Sequence, residues 1–196
     1  MVKVGITGHR SIIAEQFMKL HSGEVEFFCE RAESMPPNLD KYFFCQGFLS
    51  GKSRDDISKE DYIKTWESNY NSIARACDKI MNSNQRARIC IIGSESGYRG
   101  SYDSTYAESK KAIHEYIETK PILYPDQQIV GIAPHIIADT RMTMNRTDVY
   151  NLNNKRNNHP MKRFLTSMEV AKMAFTLLYE QPYINRTIIR MHGGNL

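Results

Sequence analysis

The sequence has no apolar run near the roughly 20 residues that a membrane-spanning helix needs, and no stretch of concentrated basic charge. The first absence argues against a membrane partner. The opening, MVKVGITGHR, enters a strand pattern directly and lacks the layout of a signal peptide, so a cytoplasmic location is the expectation. The net charge of +4 is modest and scattered, which speaks against nucleic acid as a partner. Cysteine is scarce as well. Cys29, Cys45, Cys77 and Cys90 fall in strand-like or helical stretches without metal-ligand spacing, as reduced, mostly buried thiols do, and no metal or disulfide framework is expected. Hydrophobic content of 41% over 196 residues suits one globular domain, residues 1–196, with a single substantial core.

What is present centres on residues 89–117, ICIIGSESGYRGSYDSTYAESKKAIHEYI. Ile89 to Ile92 have the length and β-branched content of a buried strand. A loop rich in Ser and Gly follows, from Gly93 to Ser101. Then Tyr106, Lys110, Ile113 and Ile117 recur at three- and four-residue steps and share one helical face. Strand, loop and helix in that order are half of a β-α-β unit, whose ligands bind beyond the carboxyl ends of the strands. Ser94 stands at that point.

Tyr106 and Lys110, four apart on a helix, are neighbours. An ammonium beside a phenol favours the phenolate, so the spacing predicts a Tyr106 pKa lowered from its ordinary value of about 10. Such a phenol exchanges a proton with a carbonyl or alcohol oxygen, which Ser94 could hold by a hydrogen bond. Among 11 tyrosines, about one such spacing arises by chance. An exposed Tyr and Lys on a solvated helix is therefore the competing reading of the pair alone.

The segment resembles the active-site region of the short-chain dehydrogenase/reductase family, whose signature is a Ser followed about a dozen residues later by Tyr-x-x-x-Lys. Ser94 precedes Tyr106 by 12 positions. The resemblance implies an α/β, Rossmann-like, doubly wound and mostly parallel sheet of about six strands with helices on both faces. It also implies an NAD or NADP cofactor, a small carbonyl or alcohol substrate, and a homodimer or homotetramer. Tyr106 would be the general acid/base, Lys110 its partner and a ribose contact, and Ser94 the holder of the substrate oxygen.

Taken in order, Val2, Val4 and Ile6 alternate into Thr7-Gly8, and residues 12–20 read as a helix. Gly8, His9, Arg10, Ser11 and Ile12 occupy the place of the family's glycine-rich, pyrophosphate-binding turn. The family's later glycines are replaced by Ser11 or Ile12 and by Ala14, so the turn is degraded. A strand at Val25–Cys29 ends in Glu30-Arg31. By resemblance, an acidic residue here contacts the ribose of NAD and a basic one the 2′-phosphate of NADP. Arg10 and Arg31 tilt the choice slightly to NADP; ordinary surface arginines are the alternative. Only ERAESMPPNLDK then separates Glu30 from the strand Tyr42–Cys45, where a full-length member has a further helix, strand and helix. One edge β-α unit is missing.

Cys45-Gln46-Gly47 stands where the family has Asn-Ala-Gly, with Gly47 kept for close backbone approach. One long helix is predicted over Ser58–Asn82, with Tyr62, Trp66, Ile73, Ala76 and Ile80 apolar. Its Asn69 is similar to the family's helix asparagine in the proton relay; a tolerated surface Asn is the alternative. Helices 60–82 and 103–118 correspond to the family's dimer interface, where Trp66, Ile73 and Ile80 serve the contact or face their own sheet.

A strand at Gln128–Ala133 closes with Pro134-His135, where the family has Pro-Gly. Thr140 is six residues beyond Pro134, against five in the family, and His135 is either a pocket group or a strand cap. Residues 141–160 read as an irregular substrate lid. A helix over Thr166–Tyr179 has Ser167 as its possible cap, and Arg186–Met191 is a last strand running into His192-Gly193-Gly194. Extended relatives such as nucleotide-sugar epimerases need a further substrate domain of about a hundred residues, for which the chain has no room. A reading of another class is a non-catalytic nucleotide-binding or regulatory protein on the same fold, favoured by the altered glycine turn.

Overall fold

The computed structural model describes residues 1–195. Six strands, β1 (Val2–Thr7), β2 (Val25–Cys29), β3 (Lys41–Phe44), β4 (Arg88–Ile92), β5 (Gln128–Pro134) and β6 (Thr187–Met191), form one sheet in the order β2-β1-β3-β4-β5-β6. Every pairing is parallel. The predicted strands all exist, to within a residue or so at their ends. Chain order reverses between β1 and β3, and the crevice above their carboxyl ends is where such sheets take ligands.

Period-two alternation assigns the two cores. Tyr42, Phe44, Ile89 and Ile91 point to one face and are covered by α3 (Ser72–Ser83) and α5 (Ser104–Thr119). Phe43, Cys90 and Ile92 point to the other, under α1 (Ile12–Lys19) and α8 (Ser167–Tyr179). Ile73 and Ile80 are wholly buried against their own sheet, which removes them from any contact with a second copy. On α2 (Lys59–Trp66), Tyr62 and Ile63 remain exposed.

The segment between β2 and β3 does the work of the missing edge unit. It makes one 3₁₀ turn, Ala32–Ser34, and sends Met35 and Leu39 onto the sheet. They lie over Gly5, where a Cβ would fall 2.4 Å from the Met35 sulfur. From the end of α3, Asn84 Nδ2 donates to the carbonyls of Leu39 (2.7 Å) and Pro37 (3.0 Å).

Three expectations need correction. The long helix is not uniform: α2 and α3 are joined by a π-helical segment, Glu67–Asn71, whose register is set by the Ser72 N–H reaching back to Glu67 O. Residues 141–160 are mostly helical, as α6 (Arg141–Met144) and α7 (Val149–Asn158). Neither buries a residue, so no apolar face exists to give a periodic signal. The cap of α8 is Thr166, in a reciprocal capping box with Glu169; Ser167 instead donates from its hydroxyl to Asp139 (2.5 Å).

Asn84 closes the shortened edge, so Asn84→Ala should destabilise the fold by about 1–3 kcal/mol by leaving the Leu39 and Pro37 carbonyls unpaired. A lower urea midpoint at unchanged m value is the expected readout; an unchanged midpoint would refute the assignment.

Candidate active site

The site is built where β1, β3 and β4 end. Gly8 adopts φ +62°, and a Cβ on it would lie 2.8 Å from the backbone of Cys45 and Gln46. No side chain fits there, so glycine lets the first turn lie against the exit of β3. Ser11 closes that turn: its N–H donates to Gly8 O (2.8 Å), and its hydroxyl caps α1 by accepting from Ala14 N (3.2 Å). The same hydroxyl lies 3.1 Å from Cys45 Sγ. His9 is half-buried, Arg10 exposed and Ile12 half-buried at the mouth. Glu30 donates its N–H to Ile6 O (3.2 Å), which sets exposed Glu30 and Arg31 beside the end of β1.

After β3 the chain is moored to the π-helical segment. Gln46 Nε2 donates to Ser68 O (3.0 Å) and Ser72 Oγ (2.9 Å). Asn69, fully buried, accepts from Phe48 N (2.9 Å) and donates to Phe48 O (2.8 Å) and Ser109 Oγ (3.0 Å). Gly47 is thereby set between Asn69 and Lys110: a Cβ on it would be 3.3 Å from Asn69 Oδ1 and 3.7 Å from Lys110 Nζ.

Helix α5 supplies the remaining groups. Asp103 caps it by accepting from Tyr106 N (2.9 Å), and its second oxygen accepts from Ser50 N, Ser50 Oγ and Gly51 N. Lys110 is buried and donates to Ile92 O, the last carbonyl of β4, at 2.8 Å. Its ammonium stands 5.8 Å from the centroid of the Tyr106 ring. Burial lowers the Lys110 pKa to about 8, with Cys45 acting in the opposite direction. The Tyr106 phenol goes the other way from the sequence expectation. Burial raises its pKa, the Asp103 carboxylate adds to the rise, and hydrogen bonding to the Ser94 side chain only partly offsets it. The Lys110 charge, turned toward Ile92 O, does not set the sign.

Ser94 sits at the exit of β4, buried, its hydroxyl accepting from Ser96 N (3.1 Å). Pro134 ends β5 and is held to the Ser94 loop by Glu95 N donating to its carbonyl (3.0 Å). Thr140 lies further along, donating to Ile137 O (3.2 Å); among the described residues no hydrogen bond ties it to Ser94 or Lys110. His135 is part of a cluster with His159 and His192 around a cavity of about 30 Å³. Its ring lies 5.3 Å from that of His159 and accepts from Asn195 Nδ2 (3.1 Å), while its N–H donates to Met191 O (3.1 Å) just past the end of β5.

Sequence reasoning passed over four residues. His114 continues the Tyr106 and Lys110 row by one more turn and accepts the Ser94 N–H on Nε2 (3.3 Å); the four-residue step was legible. Asp103, three before Tyr106, had the spacing of an N-cap. Glu95 and Arg190 form a two-pronged ion pair (2.8 and 2.7 Å) across 95 residues, which no local pattern announces.

A nicotinamide dinucleotide fits these residues. Gly8 holds the first turn against the exit of β3, and next to it Thr7 Oγ1 is buried without a hydrogen-bond partner, a hydroxyl that a bound phosphate oxygen could satisfy. The first turn of α1 adds N–H groups and the positive end of the helix dipole.

No protein-family model and no curated protein matches the sequence. Solved structures do match the fold. A short-chain dehydrogenase/reductase from Brucella melitensis, described as a glucose/ribitol dehydrogenase, superposes with TM-score 0.85 at 18% identity, over 98% of this chain and 96% of the other. An actinorhodin polyketide ketoreductase variant with NADPH gives 0.82 at 14% identity, over 100% and 98%. ElxO with NADP bound gives 0.80 at 19%, over 98% of each chain. The chain therefore has the fold of the short-chain dehydrogenases/reductases.

The buried histidines make acid stability a check on the site. Burial, then the Lys110 charge, lowers the His114 pKa to about 4; burial, then His159, does the same for His135. An unfolded chain takes up these protons near pH 6.5 and the folded one does not until about pH 4. Stability is therefore full above pH 6.5 and is lost as the pH falls toward 4. Each proton contributes a slope of about 1.4 kcal/mol per pH unit. Denaturant titrations between pH 6.5 and 5 should show His114→Gln with a slope lower by about one proton; an identical slope would show that His114 is not held neutral.

Proposed function

We propose that the chain is an NAD(P)-dependent oxidoreductase that moves hydride between a nicotinamide and a carbonyl or alcohol carbon. The observation that carries this reading is that Ser94, Tyr106 and Lys110, all buried, converge at the β4 exit, with Lys110 Nζ on the Ile92 carbonyl and 5.8 Å from the centre of the Tyr106 ring. The bound cofactor supplies the hydride. The protein's residues supply the proton and hold the oxygen.

Tyr106, kept protonated by burial and Asp103, is an acid ready to give its phenolic proton to a carbonyl oxygen as negative charge develops there. Ser94 donates a hydrogen bond to that oxygen. Lys110, close to the ring, stabilises the phenolate left behind. It also reaches the place between Gly47 and β4 where a ribose would lie. Asn69 acts through Phe48 and Ser109, fixing the loop that carries Gly47. Gly8, His9, Arg10, Ser11 and Ile12 would hold the pyrophosphate, Glu30 and Arg31 the adenosine ribose or its phosphate, and Pro134 and Thr140 the nicotinamide end. Arg10 and Arg31 favour NADP. A small-molecule substrate and a cytoplasmic location are part of the same reading. Self-association would use Tyr62, Ile63 and Trp66 on α2.

The first test titrates the protein with NADPH and NADH, following nicotinamide fluorescence, and then assays a panel of small ketones, aldehydes and keto-sugars. Tyr106→Phe should keep cofactor binding and lose about a hundredfold or more in turnover. Lys110→Ala should harm both. Failure to bind either cofactor at millimolar concentration would leave the non-catalytic reading.

A further inference from the structure

Helix α5 carries a third buried polar group in the same row, and the Ser94 loop is shaped around it. Gly93 and Gly97 flank Ser94 on either side. A Cβ on Gly93 would fall 2.2 Å from His114 Nε2, and one on Gly97 would fall 2.7 Å from His114 Cε1. Both positions lack side chains where the imidazole passes. Because Nε2 accepts the Ser94 N–H (3.3 Å), the ring proton sits on Nδ1, which is buried without a hydrogen-bond partner. An orphaned buried donor costs stability. A leucine of similar volume would remove that orphan only by leaving the Ser94 N–H unpaired, so the imidazole is kept for its acceptor toward Ser94 and not for packing alone.

The loop is held from its other side too. Glu95, next to Ser94 and almost wholly buried, receives both prongs of Arg190 from β6. The Arg190 guanidinium lies 4.5 Å from the centre of the Tyr98 ring, whose other neighbour is His114 at 4.8 Å and 31°. His114, Tyr98, Arg190 and Glu95 therefore close a ring around the short helix α4 (Ser96–Arg99) that follows Ser94.

We propose that His114 and the Glu95–Arg190 pair are positioning residues for Ser94: the imidazole fixes its N–H, the ion pair anchors the next residue to β6, and together they aim its hydroxyl at Tyr106. This rests on the reading of Ser94 as the group that holds the substrate oxygen. Ser94 Oγ has only one torsion of its own, so its place is set once the backbone on both sides is fixed. Loss of either hold should let the hydroxyl drift, and a misplacement of about 1 Å in a reacting site costs up to about a hundredfold.

The test combines hydrogen exchange of the 93–99 segment, followed by mass spectrometry, with kinetics on His114→Leu, His114→Gln and Glu95→Gln. His114→Leu and Glu95→Gln should speed exchange in that segment by about tenfold and leave NADPH affinity within about twofold. They should lower kcat by about tenfold or more. His114→Gln, which keeps an acceptor, should restore slow exchange and most of kcat. The pH–rate profile of His114→Gln between pH 6 and 9 should keep the parent's shape. Unchanged exchange in both His114→Leu and Glu95→Gln would overturn the proposal, as would loss of a pH limb in His114→Gln, which would make the imidazole a proton carrier. If His114→Leu fails to fold, Glu95→Gln decides alone. A parent that turns over no carbonyl would sink the oxidoreductase reading, while the exchange data would still show whether these side chains hold the Ser94 loop.

Discussion

The Lys110 ammonium, buried and donating to the Ile92 carbonyl at 2.8 Å, is the constraint around which the rest is arranged. Taking an unpaired cation out of water costs several kcal/mol, and here no carboxylate is hydrogen-bonded to it among the described residues. Part of the cost shows as a pKa drawn down to about 8 by burial. Part is met by geometry. The carbonyl at the end of β4 is free to accept because the strand stops there, and the Tyr106 ring lies within cation–π range. A Cβ on Gly47 would reach only ordinary contact with the amine, at 3.7 Å, and would press instead on Asn69 Oδ1 at 3.3 Å. Move the carbonyl or the ring and a buried cation loses its accommodation.

Burial pushes the neighbouring groups toward neutrality in the same way. The phenol of Tyr106 rises, the imidazole of His114 falls to about 4, and the amine falls to about 8. Three titratable groups at successive helical turns thus form one low-dielectric row along α5, each held by the backbone or loop it faces. In such surroundings a charge appearing on a substrate oxygen interacts strongly with nearby dipoles. The row also explains the π-helical segment. Its wide turn offers Asn69 and Ser72 to the β3 loop, and so brings Gly47 against Lys110 without a second buried charge. Single π turns often mark such places.

Most of the fold was legible in the sequence. Short apolar runs marked all six strands, alternating in Val2, Val4 and Ile6 and β-branched in Ile89 to Ile92, and the short link after Glu30 marked the missing edge unit. Tyr106, Lys110 and Ser94 were legible through spacing on a strand–loop–helix frame. What was not legible depended on tertiary contact. The polarity of the Tyr106 shift is set by burial and by Asp103, whereas four-residue spacing sees only the lysine. Helix α7 has no apolar face, so periodicity had nothing to detect. The π segment is a hydrogen-bond register, invisible in composition. Glu95 and Arg190 meet only because β5 pairs with β6.

The shortened edge redistributes where a dinucleotide can be gripped. In place of a strand, helix and sheet edge, residues 30–40 give a tight cover of Met35 and Leu39 tied down by Asn84. That cover restores the core over Gly5 and adds no wall beyond β2, so Glu30 and Arg31 stay exposed. Ion pairs and hydrogen bonds at such exposure are worth little each. On the proposed reading, binding energy must then come from the other end: the first turn at the α1 dipole, and Lys110 beside Gly47. The groups that grip the cofactor and those that move the proton are then largely the same ones. A change at Lys110 or Gly47 therefore acts on affinity and turnover together, whereas one at Arg31 acts on cofactor preference alone.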